Sequence, residues 1–166
     1  MALITSPTGT IPDLNYEYHT ITVDTVGQTP NSFTCYLNQP LRNVVQARLL
    51  AARINTVTPA NGSEHCYVSI KELDSIFSDR ASKNPPPLSD GSIVRNSFAS
   101  LVTTDDTGII SFRDNYPIAT QYIDPIRSID RLTVSIRNED GVLISPPNPA
   151  ENNFLILRFV CRKPNM

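Results

Sequence analysis

The residues best equipped for chemistry are few. The chain has two histidines, His19 and His65, and three cysteines, Cys35, Cys66 and Cys161. A zinc site needs about four His or Cys ligands at suitable spacing, and this set does not supply one. His65 and Cys66 are adjacent, so on a strand they point to opposite faces and cannot readily act as a base–nucleophile pair. Asp105-Asp106 could be paired carboxylates or the start of a calcium loop. Acids ahead of Thr107-Gly108 are more often turn formers, and the EF-hand spacing is absent. There is neither a glycine-rich phosphate loop nor a nucleophile elbow. Asn61-Gly62-Ser63 has the form of a glycosylation sequon, but reads more simply as a turn. The expectation is a non-enzyme with no catalytic residue, cofactor or metal.

The elements that would position any site follow from composition. The chain has 166 residues, enough for one domain with an arm. Charged residues are 18% and prolines number 14, so small polar residues and breakers replace much of the usual charge. A net charge of −2 argues against a sequence-independent nucleic-acid binder. No apolar run approaches the ~18 residues of a membrane span, and the N-terminus lacks the basic start and apolar stretch of a signal peptide. Three scattered cysteines without a C-x-x-C then read as free thiols in a reducing compartment. Residues 1–41 hold Asp13, Glu17 and Asp24 but no Lys or Arg. Beyond them Arg outnumbers Lys by 11 to 3. That bias suits a surface partly desolvated against a partner, or an ordinary solvated one.

Eight segments read as strands: 19–24, 32–37, 44–57, 66–71, 97–103, 109–112, 131–137 and 154–161. Period-two alternation is clean in several. Phe33, Cys35 and Leu37 share a face, as do Cys66, Val68 and Ile70, and Leu132, Val134 and Ile136. All 14 prolines and 6 glycines fall outside these segments, as ladder chemistry requires. Residues 138–141 (NEDG) predict a hairpin turn into Val142-Leu143-Ile144. The proline-stiffened stretches 83–92 and 145–153 predict exposed loops.

Two segments resist. Residues 44–54 (VVQARLLAARI) are good helix formers, but consistency with an all-β chain favours strand. Residues 71–78 predict a short helix. Residues 1–18 carry Leu3, Ile4, Ile11, Leu14, Tyr16 and Tyr18 without periodicity. They read as an arm that packs on a neighbouring subunit or along its own domain, which makes Ile11, Leu14, Tyr16 and Tyr18 the candidate subunit-interface residues. The expected architecture is all-β: a two-sheet antiparallel sandwich over residues 19–166, with long crossovers of the kind a jelly roll requires.

Three motifs carry a family resemblance. Residues 42–50 (RNVVQARLL) resemble the strand that begins R-N-V-V in small single jelly-roll capsid proteins of large eukaryotic double-stranded DNA viruses and their virophages. Residues 124–134 (DPIRSIDRLTV), followed by residues 138–141, are similar to the family's P-x-x-x-L-D-R-L-x-V/I … D-G stretch. Residues 67–73 (YVSIKEL) are similar to its Y-V-x-I-x-E/D-L strand. The resemblance spans roughly residues 17–161. It implies a single jelly-roll sandwich of eight antiparallel strands, B to I, in two four-stranded sheets, BIDG and CHEF, with an N-terminal arm. It further implies a structural role in the virion. The leading expectation is a penton forming homo-pentamers that close the five-fold vertices. It would be made in the host cytoplasm and contact the double jelly-roll major capsid protein and minor capsid proteins, without inserting into a membrane or binding nucleic acid. The alternatives are a minor capsid (cement) protein of the same fold, and a solitary β-sandwich binding module. Sugar-binding modules display aromatic platforms. This chain has no Trp, and its candidates Tyr36, Tyr67, Tyr116 and Tyr122 are scattered.

Overall fold

A computed structural model describes residues 15–55, 65–73, 97–102, 109–113, 120–138, 141–144 and 151–164. Every regular element among them is a strand: β1 (Tyr16–Asp24), β2 (Ser32–Asn55), β3 (His65–Ile70), β4 (Ala99–Val102), β5 (Ile109–Arg113), β6 (Thr120–Arg137) and β7 (Phe154–Arg162). The all-β expectation therefore holds, including for residues 44–54, where helix propensity yields to the sheet. The alternative stripe would have faced Leu50 inward with Ala47 and Ala51. Instead Ala47, Leu49, Ala52 and Ile54 are buried while Leu50 and Ala51 are only half-buried, because a register shift between Leu49 and Ala51 interrupts the alternation.

The strands form one continuous antiparallel sheet in the order β1-β7-β2-β6-β3-β4, with β5 also on β2. Two separate sheets of eight strands were expected. The difference arises where segments 32–37 and 44–57 run together as β2. Tyr36 pairs with Arg131 and Leu41 with Ile129, so residues 37–40 leave the ladder. The exclusion of proline from strands fails at the same kind of place. Pro40 lies in that bulge, and Pro125 lies where β6 slips between the pairs Val44–Ile126 and Gln46–Gln121. A bulge leaves donors unpaired, so a residue without an N–H costs little there. Just beyond the first bulge Asn43 has a φ of 52°, a left-handed conformation that Asn tolerates better than most residues.

The two halves of β2 differ in their neighbours, although β6 runs beside both: its residues 120–129 pair with residues 41–47. Residues 32–36 pair with 131–135 of β6, whose other edge takes β3. Residues 44–53 pair with β7, and residues 51–55 take β5 on the opposite edge. β7 lies between β1 and β2, and its alternate residues Leu155, Leu157 and Phe159 are buried in the core. The core lines up Val23, Phe33, Val44, Ile54, Val68, Ile70, Leu132, Val134, Ile136, Leu155, Leu157 and Phe159, all buried.

Other expectations meet the structure unevenly. β1 begins at Tyr16 rather than His19, and Tyr16, Glu17 and Tyr18 pair with Arg162, Cys161 and Val160. The hairpin at residues 138–141 forms: Gly141 N–H donates to the Asn138 carbonyl at 3.0 Å, and Arg137 bridges to Leu143. Residues 71–73 are a turn; the rest of the expected helix lies outside the described residues, as do Ile11, Leu14, Asp105, Asp106 and Tyr116. Glu151 and Asn152, in the loop 145–153, are exposed as expected, but its last residue is not. Asn153 is fully buried: its Nδ2 donates to the Pro30 carbonyl (2.9 Å), and its Oδ1 accepts from the Asn55 backbone N–H (2.7 Å). Its own N–H donates to Thr25 Oγ1 at 2.9 Å. This knot ties the β1–β2 turn and the end of β2 to the entry of β7.

Candidate functional site

Two grooves open on this scaffold. The larger, about 520 Å³, lies on the outer side of β2, β6 and the turn after β3. Its floor is set by register. Phe33 and Leu132 point into the core, so Thr34 and Tyr36 point outward, directly opposite Thr133 and Arg131. Such cross-strand partners stand about 4.5–5.5 Å apart at Cβ. Tyr36 is 75% exposed. Asp130 borders the groove opposite the bulge, and Lys71 and Glu72 form the other wall. That wall is fastened to the floor. Lys71 N–H donates to the Thr133 carbonyl at 3.0 Å. The Glu72 carboxylate accepts from Thr133 N–H (2.7 Å) and Thr133 Oγ1 (2.9 Å). Behind it, Tyr122 O–H donates to the Leu73 carbonyl at 3.0 Å. Two cations and two carboxylates make the groove electrically balanced, with one exposed ring among them.

The smaller groove, about 310 Å³, opens where β1 and β7 end beside the β2 bulge. It brings together Glu17, His19 and Cys161, a juxtaposition that sequence separation hides. His19 lies 3.5 Å from Glu17, and Glu17 pairs in register with Cys161. Burial and the nearby Glu17 carboxylate hold the Cys161 thiol above its ordinary value. A catalytic cysteine needs the opposite shift, toward thiolate. Arg42, Arg162 and Lys163 line the same groove.

The remaining singled-out residues fall apart. Burial pushes the Cys66 thiol up to about 12. Cys66 lies in the core, while the His65 ring packs edge-on against Tyr67, centroids 5.3 Å apart. Cys35 is half-buried, and its thiol donates to the Asp24 carbonyl at 3.4 Å. All three cysteines are free. Among the described residues no group of three His, Cys, Asp or Glu is placed to hold a metal ion. Tyr16 and Tyr18 lie on β1. Tyr18 is 45% exposed and carries the Arg158 guanidinium 5.7 Å above its ring. Of the scattered tyrosines, Tyr67 is buried and Tyr122 half-buried, which leaves Tyr36 as the open aromatic surface among those described. Sequence spacing named Tyr36 but could not place it beside Arg131 and the Glu72 wall, because that needs the register of three strands.

These features define an antiparallel all-β protein with a polar, ring-bearing groove. No family model matches the chain, and no curated protein matches it in sequence.

Proposed function

We propose that the chain is a single jelly-roll capsid protein, and specifically the penton that closes five-fold vertices of a double-stranded DNA virus. One observation carries this reading. Residues 120–129 of β6, paired with residues 41–47 of β2, keep the sheet continuous, but dividing β2 at its bulge and β6 before Arg131 sorts the remaining pairs into two four-stranded runs: β1, β7, residues 44–55 of β2, and β5; then residues 32–36 of β2, residues 131–137 of β6, β3 and β4. In chain order these correspond to B-I-D-G and C-H-E-F, the two sheets the family resemblance implies. The resembling motifs also fall where the fold needs them. Val44 lies beside the β2 bulge, and Ile129, Leu132 and Val134 pack in the core. Asn138 and Gly141 are hydrogen-bonded across the turn after β6.

Five such wedges around a closed axis use one flank against the next, a heterologous interface that completes itself as a ring. Arginines on the flanks, with their planar multi-donor heads, suit a side that must meet both a copy of itself and a different capsomer. Ile11, Leu14, Tyr16 and Tyr18 are the candidate contacts. Reconstruction of purified particles tests the reading. The expected result is density for this chain at every vertex, five copies at each and about 60 per icosahedral shell. Density only beneath the faces would replace it with the cement role. Absence from particles would leave the solitary binding module.

A further inference from the structure

We propose that the groove at Tyr36 is a saccharide-binding site, taking a neutral pyranose with adjacent free hydroxyls. A pyranose presents an apolar face of C–H groups and an equatorial rim of hydroxyls that both donate and accept. An aromatic ring left in water offers a counterpart to the first, and planar side chains at its border to the second. Tyr36 is 75% exposed at the rim of this groove. Arg131, its direct cross-strand partner, supplies parallel N–H donors, and Asp130 beside it supplies acceptors. Lys71 adds a donor at the far wall.

Two further facts favour a sugar over a charged ligand. The wall and floor carry equal numbers of acids and bases, so no net field attracts an anion or a cation. The Glu72 carboxylate is also already engaged by Thr133 through both oxygens. It therefore holds the wall in place, and Arg131, paired in register with Tyr36, and Asp130 remain as polar groups lining the groove. The volume, about 520 Å³, is within the range of small-molecule sites and ample for a monosaccharide. The groove is shallow and open, so affinity is weak, with a dissociation constant on the order of 1 mM for one ring. A surface that repeats the site in a symmetric assembly would gain by multivalency. The site itself is read from the isolated chain and stands whether or not the chain is a penton.

The test is a titration of the full-length, isotope-labelled chain with methyl glucoside, galactoside, mannoside and N-acetylglucosaminide, followed by amide chemical shifts. Saturable shifts centred on Thr34, Tyr36, Asp130, Arg131 and Thr133 are expected with at least one glycoside. Tyr36→Ala should weaken binding by about tenfold or more, whereas Tyr36→Phe, which keeps the ring, should bind within about twofold of wild type. Tyr36 is solvent-facing, so neither variant threatens folding, and their unperturbed spectra provide the check. The proposal is overturned if no glycoside gives saturable shifts, if the shifts persist in Tyr36→Ala, or if an acyclic polyol such as sorbitol reproduces them. A chain found at vertices that ignores every glycoside sinks this site and leaves the capsid reading standing. A chain that binds glycosides but is absent from particles does the reverse.

Discussion

Asn153→Ala is the perturbation that most directly tests how the two ends of the chain are joined. The side chain is fully buried and serves two backbone groups at once. It donates to the Pro30 carbonyl at 2.9 Å and accepts from the Asn55 N–H at 2.7 Å. Truncation leaves a buried acceptor and a buried donor without those partners. Each such group costs about 1–3 kcal/mol, so the expected loss is about 2–6 kcal/mol. Against a typical total of about 5–15 kcal/mol, that is a large fraction. Asn55→Ala is the internal comparison. The Asn55 Nδ2 donates to the Asn152 carbonyl at 2.8 Å and to Asn153 Oδ1 at 3.2 Å, but its buried Oδ1 has no partner among the described residues. Deleting the side chain removes two bonds together with one unsatisfied acceptor, so the loss should be smaller, about 1–2 kcal/mol. The assay is urea unfolding of both variants, read as a fall in midpoint at constant slope. An Asn153→Ala loss below about 1 kcal/mol, or below that of Asn55→Ala, would refute the reasoning, because the knot would then not be bearing on the fold.

Three further outcomes are expected. The Cys66 thiol, pushed up to about 12 from an ordinary 9.0, holds its proton in the folded chain over a window where the unfolded chain has lost it. Its contribution is therefore complete below pH 9 and disappears as pH rises toward 12, by up to about 4 kcal/mol. Stability measured against pH should show that alkaline decline in wild type and lack it in Cys66→Ala, and half-buried Cys35 should react with a thiol reagent before Cys66 does. At Asn43, where φ is 52°, Gly should be neutral or mildly stabilising and Val should cost about 1–2 kcal/mol in the same unfolding assay. Glu72→Ala should cost about 1.5–3 kcal/mol, since it strips the Thr133 N–H and hydroxyl of a charged acceptor. Amide exchange at Thr133 should speed up in that variant.

Period-two alternation carried most of the fold in advance. The inward rows Cys66-Val68-Ile70 and Leu132-Val134-Ile136 are buried as their spacing requires, because a half-covered strand writes its orientation into alternate residues. What alternation cannot carry is continuity. Pro40 and Pro125 fall outside the expected strands, yet the ladder runs past each with a shifted register. A bulge and a loop look alike in sequence; only the partner strand distinguishes them. Asn153 was hidden for a related reason. It ends the proline-rich stretch 145–153, where polar residues normally face water, and only the approach of Pro30 and Asn55 makes it an interior residue. The Tyr36 groove was half legible: the residue type was visible, but its neighbours come from segments about 35 and 95 positions away, brought together by pairing.

The pairing of β1 sets a timetable for synthesis. Residues 16–24 find their described neighbours in residues 154–162, so β1 waits for a strand made more than a hundred codons later. Closing so long a loop is slow compared with forming local hairpins. During translation the edge of β1 is accordingly a stretch of unsatisfied backbone until residues 154–162 have emerged. A cell producing this protein in quantity would have to shield that waiting strand from its counterparts on neighbouring polysomes, since the same hydrogen bonds can form between chains as within one.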